Sequence, residues 1–225
     1  MRTLAVVISL TMFAYCLGQN KAIDSFPEPF ATKSVSNFSN VLGWENGWTP
    51  KAPEGFAVTK YVDGFENPRW LYELPNGDIP VDQSNSNYGV FKQIGAWLIG
   101  AGKSKNLSNS ADLITLLRDT DKDGMPDVRE TFLHDGLDQP FGMLLIGDSF
   151  YVAITDALMR YPFKEGQMSI TAKGEKIATL PAGKANQHWT RNIITNEDES
   201  KTYIAVGSGS NIAAKTNLML KAAKS

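Results

Sequence analysis

The sequence predicts an all-β protein, and three observations support that prediction. Several short stretches alternate apolar and polar residues, as half-buried strands do. Clusters of Gly, Asp, Asn and Pro separate these stretches and are typical of tight turns. The order of turn and strand recurs along the chain, which is typical of repeated antiparallel sheets. Apart from the last dozen residues, no long segment shows convincing helical periodicity.

Five stretches are predicted as strands from their composition and alternation. They are residues 56–62, 70–74, 113–117, 149–154 and 202–206. The run Pro75-Asn76-Gly77-Asp78 predicts a turn. A further strand is expected after it, although Pro80 indicates an edge strand or a bulge there, because proline lacks the N–H that a central strand donates.

A weak internal repeat connects these strands. Residues 64–68 and 136–140 each precede an apolar strand, a turn containing Gly-Asp, and a second strand, and a third copy begins near Trp189. Short repeated antiparallel units of this kind predict a β-propeller. A blade takes about 40–50 residues, so residues 53–212 are expected to form a partial propeller of about three to four blades, whereas a closed ring needs about four to eight.

Composition excludes some functions. The chain has 225 residues, of which 42% are hydrophobic and 20% are charged, with a net charge of -2. This is ordinary globular composition and argues against a disordered chain. There is no basic excess for nucleic-acid binding and no polybasic run for an anionic membrane.

The first residues predict an export signal. Arg2 precedes an apolar run over residues 4–17, which is short for a bilayer span, and Gly18 offers a cleavage point. We therefore expect a signal peptide at 1–18 and an exported protein, periplasmic or secreted, without a membrane span in the mature chain. The alternatives are a membrane anchor or a lipoprotein at Cys16, although Tyr15 is too large for the usual lipid-attachment signal. Cys16 is the only cysteine, so thiol chemistry is not expected in the mature protein.

The segments on either side of the predicted propeller are irregular. Residues 19–52 combine prolines with scattered aromatic residues, which predicts an N-terminal arm that packs against the main body; the alternative is a loose linker. Residues 213–225 form an irregular tail that no longer resembles a strand.

An acidic loop between two predicted strands has the spacing of a calcium-binding loop. Carboxylates occupy loop positions one, three, five, nine and twelve, and Gly124 occupies position six, where a sharp turn is needed. The predicted ligands are Asp119, Asp121, Asp123, Asp127 and Glu130. The incoming segment alternates like a strand, so we expect a structural ion in a strand–loop–strand hairpin. The alternative is a solvated acidic turn.

The chain has two histidines. His134 lies beside a turn and is interpreted as a surface residue. His188 lies next to Gln187 and close to Arg191 and Asn192, at the expected start of a blade. Histidine is the usual proton acceptor near neutral pH, so His188 is either a general base or a hydrogen-bonded structural residue.

Several motifs, in order, resemble the glucose/sorbosone dehydrogenase family, whose members depend on pyrroloquinoline quinone (PQQ). The similarity extends over about residues 41–212. The motifs are Pro53-Glu-Gly-Phe56, Asn67-Pro-Arg-Trp70, Leu74-Pro-Asn-Gly-Asp78, the acidic loop, Gly136-Leu-Asp-Gln-Pro-Phe-Gly-Met143, Leu180-Pro-Ala-Gly183, His188-Trp-Thr-Arg-Asn192 and Val206-Gly-Ser-Gly-Ser-Asn211.

The resemblance implies a six-bladed propeller that holds PQQ and Ca²⁺ and oxidises a sugar or aldose by hydride transfer to the quinone. It implies that His188 is the general base and that Arg191 stabilises the reduced quinone or orients substrate. Gln139 and Asn192 are expected to contact the cofactor. The electron acceptor is not indicated.

The sequence departs from the family at three points. Pro80 and Asp82-Gln83 stand where relatives usually show a smoother apolar strand. The other two departures keep other functions open. Gln187 stands where the soluble glucose enzymes have an acidic residue, and the later blades, which carry most of the basic residues for the quinone carboxylates, lie beyond Ser225. The alternative is a secreted, non-catalytic propeller that binds carbohydrate or protein. A lactonase-like hydrolase would need a metal cluster at the channel, and the acidic loop lies in a single hairpin instead. A nicotinamide enzyme is not expected, because the Gly-rich fingerprint is absent.

Overall fold

The computed structural model of this chain describes residues 48–87, 89–98, 110–182 and 188–207, together with Gly43 and Ala101. Within these residues the chain forms ten strands and one nine-residue helix. The strands are β1 (Pro68–Leu71), β2 (Ile79–Gln83), β3 (Leu113–Arg118), β4 (Val128–Leu133), β5 (Met143–Ile146), β6 (Ser149–Ala153), β7 (Ala157–Pro162), β8 (Glu175–Thr179), β9 (Arg191–Thr195) and β10 (Thr202–Val206). The helix α1 (Val90–Leu98) lies between β2 and β3 in the sequence. The prediction of an all-β protein is confirmed.

The strands form three antiparallel sheets in which sequence neighbours pair. Sheet 1 has the order β1-β2-β3-β4, sheet 2 has the order β5-β6-β7-β8, and sheet 3 contains β9 and β10. Successive four-stranded antiparallel sheets are the blades of a propeller. The predicted partial β-propeller is therefore confirmed, with two four-stranded blades and two strands of a third among the described residues.

The sheets pack face to face, and the alternation of side chains along β5 shows how. Met143 and Leu145 point into a cluster shared with Ile114, Leu116 and the other buried residues of sheet 1. Leu144 and Ile146 point to the opposite face, where Ile193 of sheet 3 packs. Because successive strand residues face opposite sides, one apolar strand supplies both interfaces of sheet 2.

The internal repeat is also visible in the backbone. Gly64 and Gly136 both have φ of +74°, and Asn67 and Gln139, each just before a proline, have φ of +54° and +53°. Left-handed conformations are uncommon for residues other than glycine. The same pair of unusual conformations at equivalent positions indicates that one turn is used twice, at the entrance to β1 and at the entrance to β5.

Some local predictions were wrong. Residues 56–62 form no strand: Phe56 is 77% exposed, and no described strand pairs with this segment to accept its backbone hydrogen bonds. Pro80 lies in β2, between β1 and β3, rather than at a sheet edge. The carbonyl oxygen of Pro80 accepts a hydrogen bond from the N–H of Tyr72, which lies just beyond the end of β1. The N–H that proline lacks would point to this same side, where β1 has already ended. The β1–β2 register is irregular, as the bulge alternative expected.

Helix α1 was not predicted, and its large apolar side chains are exposed. No helix among the described residues is long and apolar enough to cross a membrane. The predicted signal peptide at 1–18, the tail at 213–225 and the part of the arm before residue 48, apart from Gly43, lie outside the described residues.

Candidate functional site

Because the strands are antiparallel, the described loops lie at the two opposite ends of the strands, which we call edge 1 and edge 2. We call edge 1 the end that carries the connections that follow β2, precede β5, join β6 to β7, and precede β9. Its described residues are 84–87, 89–98, 101, 110–112, 134–142, 154–156, 180–182 and 188–190. We call edge 2 the opposite set, which are residues 72–78, 119–127, 147–148, 163–174 and 196–201. Of the predicted residues, Gln139 and His188 lie at edge 1, whereas the acidic loop lies at edge 2.

His188 lies at edge 1, three residues before β9, and its residue is exposed. Its carbonyl oxygen accepts a hydrogen bond of 2.7 Å from Nη1 of Arg191. Gly207, just beyond β10, packs directly on it: a Cβ added there would lie 2.7 Å from Cβ of His188. The backbone of His188 is therefore held by Arg191 and by the end of β10, while its residue remains accessible to solvent.

Arg191, the first residue of β9, is 2% exposed. Its guanidinium donates to the carbonyl oxygens of His188, Thr190 and Pro181, at 2.7, 3.1 and 2.8 Å. Burial lowers the pKa of this guanidinium. These bonds join the two ends of the β8–β9 connection, which is the role of a positioning residue. The predicted contact between Arg191 and a quinone stays a prediction.

Asn192 is half-buried in β9, opposite Ala205 of β10. Its side-chain oxygen accepts a 2.9 Å bond from the N–H of Ile193. Gly142 lies against this strand so closely that an added Cβ would be 2.6 Å from the carbonyl oxygen of Arg191. The start of β9 therefore contacts the backbone of Gly142, just before β5. Only glycine leaves room for so close an approach.

Gln139 is buried and joins sheets 1 and 2. Its Nε2 donates to the carbonyl oxygen of Asn85 at 2.8 Å, and its Oε1 accepts a 2.7 Å bond from the hydroxyl of Thr155. Its backbone N–H donates to Asp112 at 2.8 Å. Both the nitrogen and the oxygen of the Gln139 side-chain amide are thus hydrogen-bonded within the protein. The predicted contact of Gln139 with a cofactor would require these bonds to be replaced by bonds to the cofactor.

Sequence reasoning assigned no role to a group of polar residues at the end of β2 and just beyond it. Asp82 is fully buried; its carboxylate accepts hydrogen bonds from the backbone N–H of Trp70 and from the hydroxyl of Ser84. Burial raises the pKa of Asp82 to about 7, although the bonds to Ser84 and Trp70 and the charge of Arg69 act in the opposite direction. The signal was the polar run 82–85, where an apolar strand end was expected.

Aromatic side chains join the three sheets at edge 1. Trp189 is buried, and its indole N–H donates to the hydroxyl of Ser86 at 2.7 Å. The ring of Phe141 packs against both Trp189 and Trp70, with centroid distances of 6.3 and 5.7 Å. Arg69 lies over the Trp189 ring, 5.4 Å from its centroid. Trp189, the residue that directly follows His188 in the sequence, is therefore held rigidly.

The acidic loop at edge 2 brings three of its five predicted ligands together. Carboxylate oxygens of Asp119, Asp121 and Asp123 lie within 4.8 Å of one another. Gly124, at φ +90°, donates its N–H to Oδ2 of Asp119 at 2.8 Å, which makes the expected sharp turn. Oδ1 of Asp119 is buried and has no hydrogen-bond partner among the described residues. Three hard oxygen donors with one buried, unsatisfied oxygen fit a calcium ion.

The other two predicted ligands lie outside this group. Asp127 accepts bonds from the N–H and the hydroxyl of Thr120, which lower the pKa of its carboxyl. Glu130 is exposed in β4, opposite Leu116 of β3. Asp127 closes the loop on itself, and Glu130 has already entered the strand.

Two solved structures share this fold. The holo form of the PQQ domain of pyranose dehydrogenase from Coprinopsis cinerea aligns with a TM-score of 0.53 and 16% sequence identity, covering 72% of this chain and 33% of that chain. An iodide structure of a member of Carbohydrate-Active Enzymes Family AA12 from Trichoderma reesei aligns with a TM-score of 0.55 and 15% identity, covering 77% of this chain and 38% of that chain. No protein-family model and no curated protein sequence matches the chain.

These likenesses establish the fold. The described residues adopt the propeller architecture of a PQQ domain, and the chain spans between 33% and 38% of the length of the two solved proteins. The sorbosone dehydrogenase subfamily, the substrate and the roles of the site residues are matters for proposal.

Proposed function

We propose that this chain is part of a PQQ-dependent oxidoreductase that oxidises a sugar or aldose, with His188 as its general base. The observation that carries the proposal is the placement of His188. It is accessible at edge 1 of a PQQ-domain fold, and its backbone is fixed by Arg191 and Gly207. A fixed backbone on a residue that is exposed to solvent suits a group that must take a proton from a bound hydroxyl.

The residues of this chain would each have a separate role in the reaction. A neutral His188 imidazole accepts the proton of the substrate hydroxyl through one ring nitrogen. Arg191 holds the loop that carries His188, because its guanidinium bonds the carbonyls on both sides of that loop. Gln139 links sheets 1 and 2 through its bonds to Asn85 and Thr155, and Asn192 bonds the N–H of Ile193 within β9. PQQ, when bound, would accept the two electrons that leave the sugar with its hydride.

We also propose that the acidic loop binds Ca²⁺ through Asp119, Asp121 and Asp123. The buried, unsatisfied oxygen of Asp119 supports this assignment. The loop lies at edge 2, opposite His188, so this ion would stabilise the β3–β4 hairpin. Asp127 and Glu130 would join it only if the loop tightened around the ion. Export to the periplasm or the medium completes the proposal and rests on the leader-like residues 1–18.

The test compares His188→Ala with His134→Ala in the intact gene product. His134 is the matched control, because its side chain is 65% exposed beside Asp135 and it has no assigned role. We expect His188→Ala to lower kcat with an aldose, PQQ, Ca²⁺ and an artificial electron acceptor by about 100-fold or more. Quinone binding, followed by tryptophan fluorescence, should be retained, and His134→Ala should behave as wild type.

Two results would contradict the proposal. Equal turnover in the two variants would remove His188 from the chemistry. A wild-type protein that binds carbohydrate but shows no turnover with any aldose would instead support the non-catalytic binding propeller.

A further inference from the structure

Arg69 is held in one orientation at edge 1 although the residue is exposed. Its Nε donates to the carbonyl oxygen of Ser84 at 3.1 Å, and its Nη2 donates to the side-chain oxygen of Asn85 at 3.2 Å. The planar guanidinium lies over the indole of Trp189. These three contacts act on a side chain that is otherwise flexible, so the fork of N–H donors is preorganised.

The surface beneath Arg69 is itself rigid. Trp189 is buried, its N–H is bonded to Ser86, and its ring packs edge to face against Phe141. Trp189 directly follows His188 in the sequence, so Arg69 stacks on the neighbour of the proposed general base. Ser84, Asn85 and Ser86 all follow β2, which means that the loops of sheets 1 and 3 jointly position this cation.

Arg129 is the described arginine most like Arg69, because it also lies over an aromatic ring, that of Phe65, but its Nη1 and Nη2 both donate to main-chain carbonyl oxygens, those of Asp63 and Gly64. The donors of the remaining described arginines are used differently. Arg118 is paired with Asp78 at 2.7 Å, Arg160 is paired with Glu175, and the guanidinium of Arg191 bonds main-chain carbonyls in the interior. The nearby carboxylate of Asp82 accepts its hydrogen bonds from Trp70 and Ser84. Nη1 of Arg69 takes part in none of the hydrogen bonds found among the described residues.

We propose that Arg69 binds a carboxylate of the ligand that reacts beside His188. A guanidinium presents parallel N–H donors that match the two oxygens of a carboxylate, and a charge-assisted bond of this kind is strong. The inference rests on the proposed function and specifies it. PQQ carries carboxylates around a planar ring system, and a sugar acid carries one on a flexible chain, so both share the required group. The position of Arg69 over the flat Trp189 ring favours the quinone.

The test titrates the intact protein with PQQ and, separately, with gluconate, and follows tryptophan fluorescence. Arg69→Gln removes the charge, Arg69→Lys keeps the charge without the fork, and Arg160→Gln is a matched control at an exposed ion pair. We expect Arg69→Gln to raise the Kd for PQQ by about tenfold or more and Arg69→Lys to raise it by several fold. Arg160→Gln should bind like wild type.

Near-UV circular dichroism without ligand checks that Trp189 stays packed, and Arg69→Lys carries the test if Arg69→Gln disturbs that packing. An unchanged Kd for PQQ in both variants would overturn this inference and leave the proposed function standing. A loss confined to gluconate would overturn the assignment to the quinone. A wild-type protein that binds no PQQ would overturn the proposed function, and this inference with it.

Discussion

Asp82 shows how one side chain can couple the candidate site to pH. It is fully buried at the end of β2, and both carboxylate oxygens accept hydrogen bonds, one from Trp70 and one from Ser84. Removal from water disfavours its charged form more than these bonds favour it, so its pKa in the folded protein is raised to about 7. In the unfolded chain an aspartate titrates near its usual value of about 3.9.

The substitution Asp82→Asn should therefore change how stability depends on pH. Between about pH 4 and pH 7 the folded state holds a proton that the unfolded state has released. The contribution of Asp82 to the free energy of unfolding therefore falls as the pH rises through that window. Asparagine can keep the bonds to Trp70 and Ser84 without titrating. We expect the unfolding free energy of the variant, relative to wild type, to increase by up to about 4 kcal/mol from pH 4 to pH 7. Urea unfolding at several pH values measures it, and parallel curves for the two proteins would contradict it.

At the same scale, the sequence located His188 but did not reveal what holds it. The motif around His188 and Arg191 is local, so it could be read directly. Gly207 and Arg69 reach this loop from distant parts of the chain, and such contacts are set by sheet packing. The burial of Arg191 was equally invisible, because an arginine in a polar run is usually expected at the surface.

At the scale of elements, strands were predictable where the alternation was supported by a partner. Predicted residues 113–117, 149–154 and 202–206 correspond closely to β3, β6 and β10. Residues 56–62 alternate equally well, yet they find no strand to pair with in the described part of the chain. Helix α1 was missed although Val90, Phe91, Ile94, Trp97 and Leu98 recur at helical spacing, because the segment has only nine residues and so short a helix is marginal by itself.

The acidic loop is the element whose prediction is most directly testable. Calcium should raise the melting temperature of the wild-type protein, because the ion would bind only the folded loop. Asp119→Asn and Asp121→Asn should abolish most of this increase, since each removes a charged ligand. Asp148→Asn, in the exposed β5–β6 turn at the same edge, is the matched control and should retain it.

Differential scanning calorimetry with and without Ca²⁺ makes this measurement, and magnesium serves as the competing ion. The same increase in all four proteins would show that calcium acts elsewhere. No increase in the wild-type protein would leave the loop as a solvated acidic turn.

At the scale of the whole molecule, the two interfaces between sheets are unequal in the part of the chain that the structure describes. Sheets 1 and 2 share the larger cluster, in which Phe132 and Phe150 pack edge to face at a centroid distance of 5.3 Å and Phe163 packs against both. A partly buried ion pair between Asp78 and Arg118, with a bond from Arg118 to the carbonyl of Gly166, joins the same two sheets at edge 2. Sheets 2 and 3 share a smaller cluster.

This asymmetry predicts that β9 and β10 open more readily than the rest of the described sheets, because regions with less buried apolar contact exchange through local opening. Ile193→Ala should lower the opening free energy of the β9 and β10 amides by about 2–4 kcal/mol and leave the β3 and β6 amides unchanged. Ile194→Ala is the matched control: it lies one residue along the same strand, on the opposite face, and is 61% exposed. Hydrogen exchange followed by mass spectrometry resolves the strands. An equal loss of protection in all three sheets would mean that the blades unfold as one cooperative unit, and the loop that carries His188 would then be as stable as the core beneath it.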